Sequence, residues 1–544
     1  MTVVTRPRPG RDVHAPMPKL RAEPAVERHA ARTAQGAAVA ARRELALLAV
    51  ILLAGLFVRG LVAQRGLWLD ETITYTQIHG LSLSEVVSRQ FNGVHPPLFH
   101  ILTSLWTGVV GDSPLGMRSL SIAWSAVGIL AVWAWSKEAM PARSGLPAAA
   151  LAAFSPFAVW YGTEARMYAQ LFALAAITGW LVWRTMARGA STRRIVGLTL
   201  VATAFAFTHY FALLIIGSLG VIALSQVFVA EHRRRALAMC GALATSVGLL
   251  AIWGVVVALS RTAEPLTTVF AKPDFFTVVI AGLEMLTGFH DYVSLGIAAA
   301  AWPLLCVAVI VALPHLGRPH WRTAGLALCV GLPIAALIAA AVLRSSSVFD
   351  SRYLTVAVPA AYVLGGRVWL GIGAGRIRAV LAAVLIAAGI ASTVQQNYDR
   401  GNPRLYGLRD AITTVNTYAR PGDGVLIVPE VLELNGTDPV LGYYPLAPGL
   451  RRFDTTPEGR AGTVAPEEML TRLRETFPRR IWVVYGYDAL SYAAGGDQRA
   501  GETSGGAISA EFDGFLSGKS KKLASVRFPN VTLTAYEMNW RGER

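Results

Sequence analysis

Residues 45–71 read LALLAVILLAGLFVRGLVAQRGLWLDE. The run Leu45–Ala63 has roughly the 20 apolar residues that a helix needs to cross a bilayer. A cleavable signal peptide has a shorter apolar core and a small-residue cleavage site. This run is long and gives way to Gln64-Arg65-Gly66, so it is read as a retained signal-anchor helix. Asp70 and Glu71 follow almost at once. Carboxylates beside a membrane are costly unless they are paired or at work. The stretch therefore points to a polytopic membrane protein and marks the loop after the first helix as a functional edge.

Composition supports that class. The chain has 544 residues, 53% hydrophobic and 15% charged, with a mean hydropathy of +0.45. That is too apolar for an ordinary soluble protein. The formal net charge of +16 would suggest a nucleic-acid partner in a soluble chain. Here the arginines cluster between apolar runs, as the positive-inside rule requires, and no nucleic-acid partner is expected. Cys240, Cys306 and Cys329 all lie in apolar segments, without the spacing of a disulfide framework or a zinc site.

Residues 1–43, rich in Arg, Pro and Ala, read as a disordered basic cytoplasmic tail. The loop Arg65–Pro97 is then external. Within it Leu81–Phe91 has the mixed polarity of an interfacial amphipathic helix. Leu98–Val110 is short for a span and is expected not to cross. Arginine clusters at Arg184–Arg194 and Arg233–Arg235 mark cytoplasmic connections, which puts Gly111–Arg118 and Gly162–Met167 outside. The segment Ile195–Ala230 is too long for one helix, and Thr208-His209-Tyr210 suggests a turn at the outer face. Further spans are expected near 237–260, 294–313, 323–343, 353–371 and 379–396. The expected fold is an all-α polytopic bundle over 44–396 with about eleven crossings. The N-terminus lies inside. From residue 397 charge, Pro and Gly rise, and 397–544 is expected to be a small extracytoplasmic α/β domain. Its helices are read at Leu405–Tyr418 and Pro466–Thr476. Its strands are read at Gly424–Val428, Arg480–Tyr485, Lys522–Phe528 and Val531–Glu537.

Three constellations could carry chemistry. Asp70 and Glu71 could act as general base or ligate a divalent metal; equally, they could cap the next helix or pair with an arginine. His95, in Val94-His95-Pro96-Pro97, is held at a set place by the prolines, which also suit a plain helix start. Arg118, Arg166, Arg344 and Arg352 sit at external ends, against the charge bias. Guanidinium forks bind phosphate, and long arginines also snorkel to headgroups. Arg166 lies in Trp160-Tyr161-Gly162-Thr163-Glu164-Ala165-Arg166-Met167-Tyr168, where Glu164 could pair with it or help bind a sugar. His209 could line the same cavity or be an ordinary bundle histidine. Asn435 and Asn530 begin glycosylation sequons, a short pattern of little weight.

Several segments then stand together in order: LWLDETITY, VHPPLFHILTSLW, GDSPLGMRSLS, SPFAVWYGTEARMYA, THYFALL and SRYLTVAVP. Over about Leu45–Gln396 the chain resembles the C-type (GT-C) membrane glycosyltransferases, in particular bacterial relatives of protein O-mannosyltransferases and the lipid A aminoarabinose transferase. The resemblance implies an integral enzyme of the bacterial plasma membrane with a polyprenyl-phosphate sugar as donor, mannose being the commonest. The acceptor would be a glycan, lipid or protein hydroxyl on the outer face. It implies Asp70 as catalytic base, with Glu71 assisting acceptor or metal binding. His95 would lie near the donor. Arg118, Glu164, Arg166, Tyr168, His209 and Arg352 are carried as substrate-binding positions. Thr72 and Ile73 depart from the small or aromatic residues that often follow the acids, which leaves the acceptor open. A divalent metal also stays open.

The chief alternative is a transporter or flippase of lipid-linked saccharides, which would need the same spans and intramembrane polar groups. The first-loop acids and the sizeable outer domain favour an enzyme.

Overall fold

The computed structural model describes residues 23–140, 142–262, 273–289, 321–343, 349–372, 375–400, 402, 404–428, 438–453, 471–486, 514, 516 and 519–540. The expected span near 294–313, Arg344, Cys306 and the Asn435 sequon lie outside these.

The chain is mostly helical and ends in a small sheet. Its first helix, α1 (Glu23–Val62), has 40 residues. Residues 23–43, expected to be disordered, are therefore helical. They are rich in alanine, the best helix former, and continue the apolar run without a break.

The loop after α1 holds α2 (Leu69–Thr76) and α3 (Leu83–Arg89). Next comes α4 (Leu98–Val110), whose 13 residues are too few to cross about 30 Å of hydrocarbon. Helix α5 (Pro114–Ala139) is followed by α6 (Gly145–Phe154) and α7 (Pro156–Tyr161). The break between α6 and α7 falls at Ser155-Pro156, where proline has no N–H to continue the ladder. Arg59 of α1 closes that break. Its guanidinium donates to the carbonyls of Gly55 (3.0 Å), Ala153 (2.7 Å), Ala152 (3.0 Å) and Ala158 (3.2 Å). Backbone carbonyls freed at a helix end must find donors in an apolar setting, which accounts for an arginine inside an apolar helix.

Helix α8 (Tyr168–Arg188) packs along α5. A Cβ on Gly179 would lie 2.5 Å from the Trp135 ring, so the absence of a side chain permits this close approach. Helices α9 (Thr192–Ala206) and α10 (Ala212–Val227) flank a turn at Thr208-His209-Tyr210. They are followed by α11 (Arg233–Ser260), α12 (Phe275–Thr287) and α13 (Trp321–Leu343). The span expected near 353–371 begins instead as a 3-10 turn, Ser351–Val356, and continues as α14 (Val358–Gly371). Asp350 accepts the Arg352 N–H at 2.8 Å, which starts the turn. Helix α15 (Gly375–Tyr398) ends the bundle. Among the described residues five helical segments are long and apolar enough to cross a membrane: Gln35–Val62, Pro114–Ala139, Arg233–Ser260, Trp321–Leu343 and Arg378–Tyr398. Eleven crossings therefore remain an expectation.

The C-terminal sheet follows α16 (Leu408–Tyr418). Its strands are β1 (Gly424–Val428), β2 (Arg451–Phe453), β3 (Arg480–Gly486), β4 (Ser520–Phe528) and β5 (Val531–Met538), in the order β2-β1-β3-β5-β4. A short helix, α17 (Pro439–Tyr443), lies between β1 and β2. β1 runs parallel to β2 and β3, with Leu426 opposite Val483; β3 and β4 pair antiparallel with β5. Side chains alternate across the sheet. Val425, Trp482, Val484 and Leu533 meet Leu408, Ile412 and Val415 of α16 on one face, and Leu426, Val483, Tyr485 and Met538 pack on the other. The exposed edge strand β4 carries Lys521, Lys522 and Arg527, charges that discourage pairing with another chain.

Candidate active site

Helix α2 begins after the segment 66–68, whose last residue Trp68 has an extended backbone, and the first turn of the helix puts Asp70 and Glu71 in different surroundings. Glu71 is wholly buried. Its Oε1 accepts from Arg118 Nε at 2.8 Å and from the Ala165 N–H at 2.7 Å. Its Oε2 accepts from Arg118 Nη2 and, at 3.2 Å, from the Trp68 N–H. Arg118, in the first turns of α5, also donates to the carbonyls of Ala63 (2.9 Å), Arg65 (2.5 Å) and Gly66 (2.9 Å). Burial pushes the Glu71 carboxyl up, but the Arg118 charge and hydrogen bonds outweigh it and hold it below the usual range. Both groups are thus saturated. Glu71 and Arg118, both expected to bind substrate, fasten the segment before α2 to α5 and to the 162–167 loop.

Asp70 points elsewhere. Its carboxylate is 16% exposed, and Oδ2 accepts from Arg352 Nη1 at 3.1 Å. Oδ1 has no partner among the described residues. The Asp70 carbonyl accepts from Arg166 Nη1 at 3.1 Å, and the same nitrogen donates to Thr74 Oγ1 at 3.0 Å. Arg166 Nη2 lies 3.3 Å from His95 Nε2. The His95 ring stands 4.8 Å from that of His209, which lies 5.9 Å from Tyr353. Asp70, His95, Arg166, His209 and Arg352, scattered over the sequence, are thereby brought to one place. Tyr168 is buried beside them and stacks edge-on to Tyr161 at 5.0 Å.

The two histidines are neutral. Burial, then His209 and Arg166, hold His95 well below its ordinary value; burial and Arg166 hold His209 at about 3. Arg166 can only donate, so His95 Nε2 accepts and its proton is assigned to Nδ1. The Phe211 N–H donates to His209 Nδ1 at 3.1 Å, which assigns the His209 proton to Nε2. Neither imidazole N–H has a protein acceptor among the described residues.

Behind Arg352 stands a ladder that the sequence reading missed. Arg352 Nε lies 3.1 Å from Asp350 Oδ1. Arg404 Nη2 donates to both oxygens of Asp350, at 3.1 and 3.3 Å, and to Ser351 Oγ at 3.0 Å. Glu284 Oε2 lies 3.9 Å from the same nitrogen. Burial raises the Asp350 carboxyl, but the two arginines override this and hold it well below the usual range. The available signal was Asp350 itself, adjoining the SRYLTVAVP segment.

Glu164 does not pair with Arg166. Its Oε1 accepts from Trp160 Nε1 at 2.7 Å, and Oε2 has no partner among the described residues. Burial, then the Glu71 charge, push it up to about 7. Arg65 lies 4.1 Å over the Trp160 ring and donates to Asn397 Oδ1.

Among the described residues no group of three His, Cys, Asp or Glu side chains could hold a metal ion. The neighbours of Asp70 are arginines, which repel a cation, so no step through a metal is derived.

Residues 94–260 match the family described as dolichyl-phosphate-mannose-protein mannosyltransferase. Among curated proteins none matches. The crystal structure of apo ArnT from Cupriavidus metallidurans aligns with 91% of this chain and 98% of its own, at 14% identity and a TM-score of 0.53. ArnT bound to undecaprenyl phosphate aligns over 90% and 97%, at 14% identity and a TM-score of 0.50. The chain has the GT-C fold. The family match takes in His95, Arg118, Glu164, Arg166, Tyr168 and His209. Asp70 and Arg352 fall outside it and are joined to it by geometry.

Proposed function

We propose that this GT-C protein transfers a sugar from a polyprenyl-phosphate donor to an acceptor hydroxyl on the outer face of the membrane. The observation that carries the reading is the Asp70 carboxylate: one oxygen is held by Arg352 and the other has no partner among the described residues, beside the Arg166 guanidinium, which pairs with no acid among them. Asp70 Oδ1 takes the proton of the acceptor hydroxyl as that oxygen attacks the anomeric carbon. The bond from anomeric carbon to phosphate oxygen breaks, and its electron pair leaves with the lipid phosphate. A single displacement inverts the anomeric centre. A sugar covalently linked to the enzyme would contradict it.

Arg166 is the best candidate for meeting the departing phosphate. Its partners among the described residues are a carbonyl, a hydroxyl and an imidazole, all uncharged, so no described group neutralises its charge. Arg352 already lies between two carboxylates and suits orientation of Asp70 better. The unpaired N–H groups of His95 and His209 suit sugar or phosphate oxygens.

Support for a lipid-phosphate donor comes from the name of the matching family and from the undecaprenyl phosphate bound to ArnT. Mannose is proposed on the family's name alone. The protein is read as bacterial, with about eleven crossings, a cytoplasmic N-terminus and residues 397–544 outside. The test uses membranes containing the protein and radiolabelled polyprenyl-phosphate mannose, with a pentose donor in parallel. Label in a new glycan, lipid or protein product supports the reading. Label that only changes leaflet would point to a flippase instead.

A further inference from the structure

The segment that delivers Asp70 is gripped from two sides, and the mechanism above uses neither grip. On the bundle side Arg118 holds the carbonyls of Ala63, Arg65 and Gly66. On the other side the contacts come from the C-terminal part of the chain, and Tyr444 makes the central one. Its hydroxyl accepts from the Leu67 N–H at 2.6 Å and donates to the Leu67 carbonyl at 3.2 Å. A phenol can do both at once. Leu67 is fully buried, so both backbone groups would be left without water if that hydroxyl were removed.

The surroundings fix Tyr444 in turn. Asp438 caps α17, accepting from the N–H groups of Val440 (2.8 Å) and Leu441 (3.0 Å). The Tyr443 hydroxyl donates to the Asp112 carbonyl at 3.1 Å, and its ring meets Tyr75 of α2 edge-on at 4.8 Å. Arg409 of α16 donates to the Gln64 carbonyl at 3.2 Å. The fit leaves no room at Gly66. A Cβ there would lie 2.9 Å from Arg409 Cβ and 3.2 Å from the Tyr444 oxygen. The glycine just before the LWLDETITY segment is therefore required by the approach of the C-terminal segment.

We propose that Tyr444 is a positioning residue: from the C-terminal sheet region it fixes the backbone of the segment 66–68 and so the placement of Asp70. This rests on the glycosyl-transfer reading above. Asp70 lies three residues beyond Leu67, and a shift of about 1 Å in a reacting group can cost on the order of a hundredfold in rate.

The experiment uses the full-length protein in lipid nanodiscs. Tyr444→Phe removes the hydroxyl and keeps the ring. Gly66→Ala disturbs the same contact from the opposite side. Three quantities are read: turnover against donor KM, thermal unfolding, and hydrogen exchange of peptides covering residues 64–70. Both variants are expected to lose about tenfold to a hundredfold in kcat with little change in donor KM and only a small fall in Tm, and to exchange faster over 64–70 alone. Unchanged exchange with unchanged kcat in Tyr444→Phe overturns the proposal. So does a kcat loss that merely follows a lower Tm and faster exchange throughout. Absence of transfer by the unaltered protein defeats the glycosyl-transfer reading, whereas local exchange over 64–70 still decides what Tyr444 holds.

Discussion

Arg352 donates to the Asp70 carboxylate at 3.1 Å, although 282 positions separate the two in sequence. The same guanidinium reaches Asp350 at 3.1 Å, so its position is set from behind as well as in front. A guanidinium spans two carboxylates because its donors diverge in a rigid fork; an ammonium is a compact point charge. Arg352→Lys is therefore expected to lower turnover roughly a hundredfold, the scale seen when one oriented donor is removed from an active site. Donor transfer in membranes, normalised to the amount of folded protein, measures it. Turnover within a factor of about two of the unaltered enzyme would contradict this role.

Glu71 and Arg118 are expected to act as one unit in stability. Removing one member of a buried ion pair typically costs about 3–5 kcal/mol, because the other charge is left stranded. Glu71→Gln should lower Tm in detergent, and Arg118→Met should do so too, since it also strips the carbonyls of Ala63, Arg65 and Gly66 of their donor. The double substitution should cost clearly less than the two single losses added together. Additive losses would mean that the pair does not interact energetically.

Much of this site is legible from charge placed against the grain of the sequence. Asp70, His95, Arg166 and Arg352 are polar groups at the ends of apolar runs, and they do meet. Pairing is less legible. Adjacent residues on a helix point about 100° apart, so Asp70 and Glu71 look equivalent in the sequence yet face an open site and a sealed one. Which acid meets Arg118 depends on how α2 and α5 are rotated, and no spacing rule encodes that. Asp350 and Arg404 were passed over for a related reason: each reads as an ordinary turn or boundary charge until the fold joins them. The helix over 23–43 is hidden in the sequence by its basic charge, which masks its alanine content.

Glu164 makes stability depend on pH. Its folded value is about 7 against an ordinary 4.5, so the native state holds a proton that the unfolded chain releases between those limits. Stability is full below about pH 4.5 and falls as pH rises toward 7. Glu164→Gln keeps an acceptor for Trp160 and removes the titration. Tm of the unaltered protein should fall more steeply from pH 5 to pH 8 than that of the variant, which should be the more stable at pH 8. Parallel Tm profiles would contradict the burial argument.

The most direct test of the central claim is transfer of radiolabelled sugar from a polyprenyl-phosphate donor by Asp70→Asn, in the same membranes and beside the unaltered protein. The side chain keeps its size and its contact with Arg352 but can no longer take a proton. Normal expression, near-normal donor binding and transfer reduced by about a thousandfold or more are expected. Near-normal turnover would contradict the claim and remove Asp70 from the role of base.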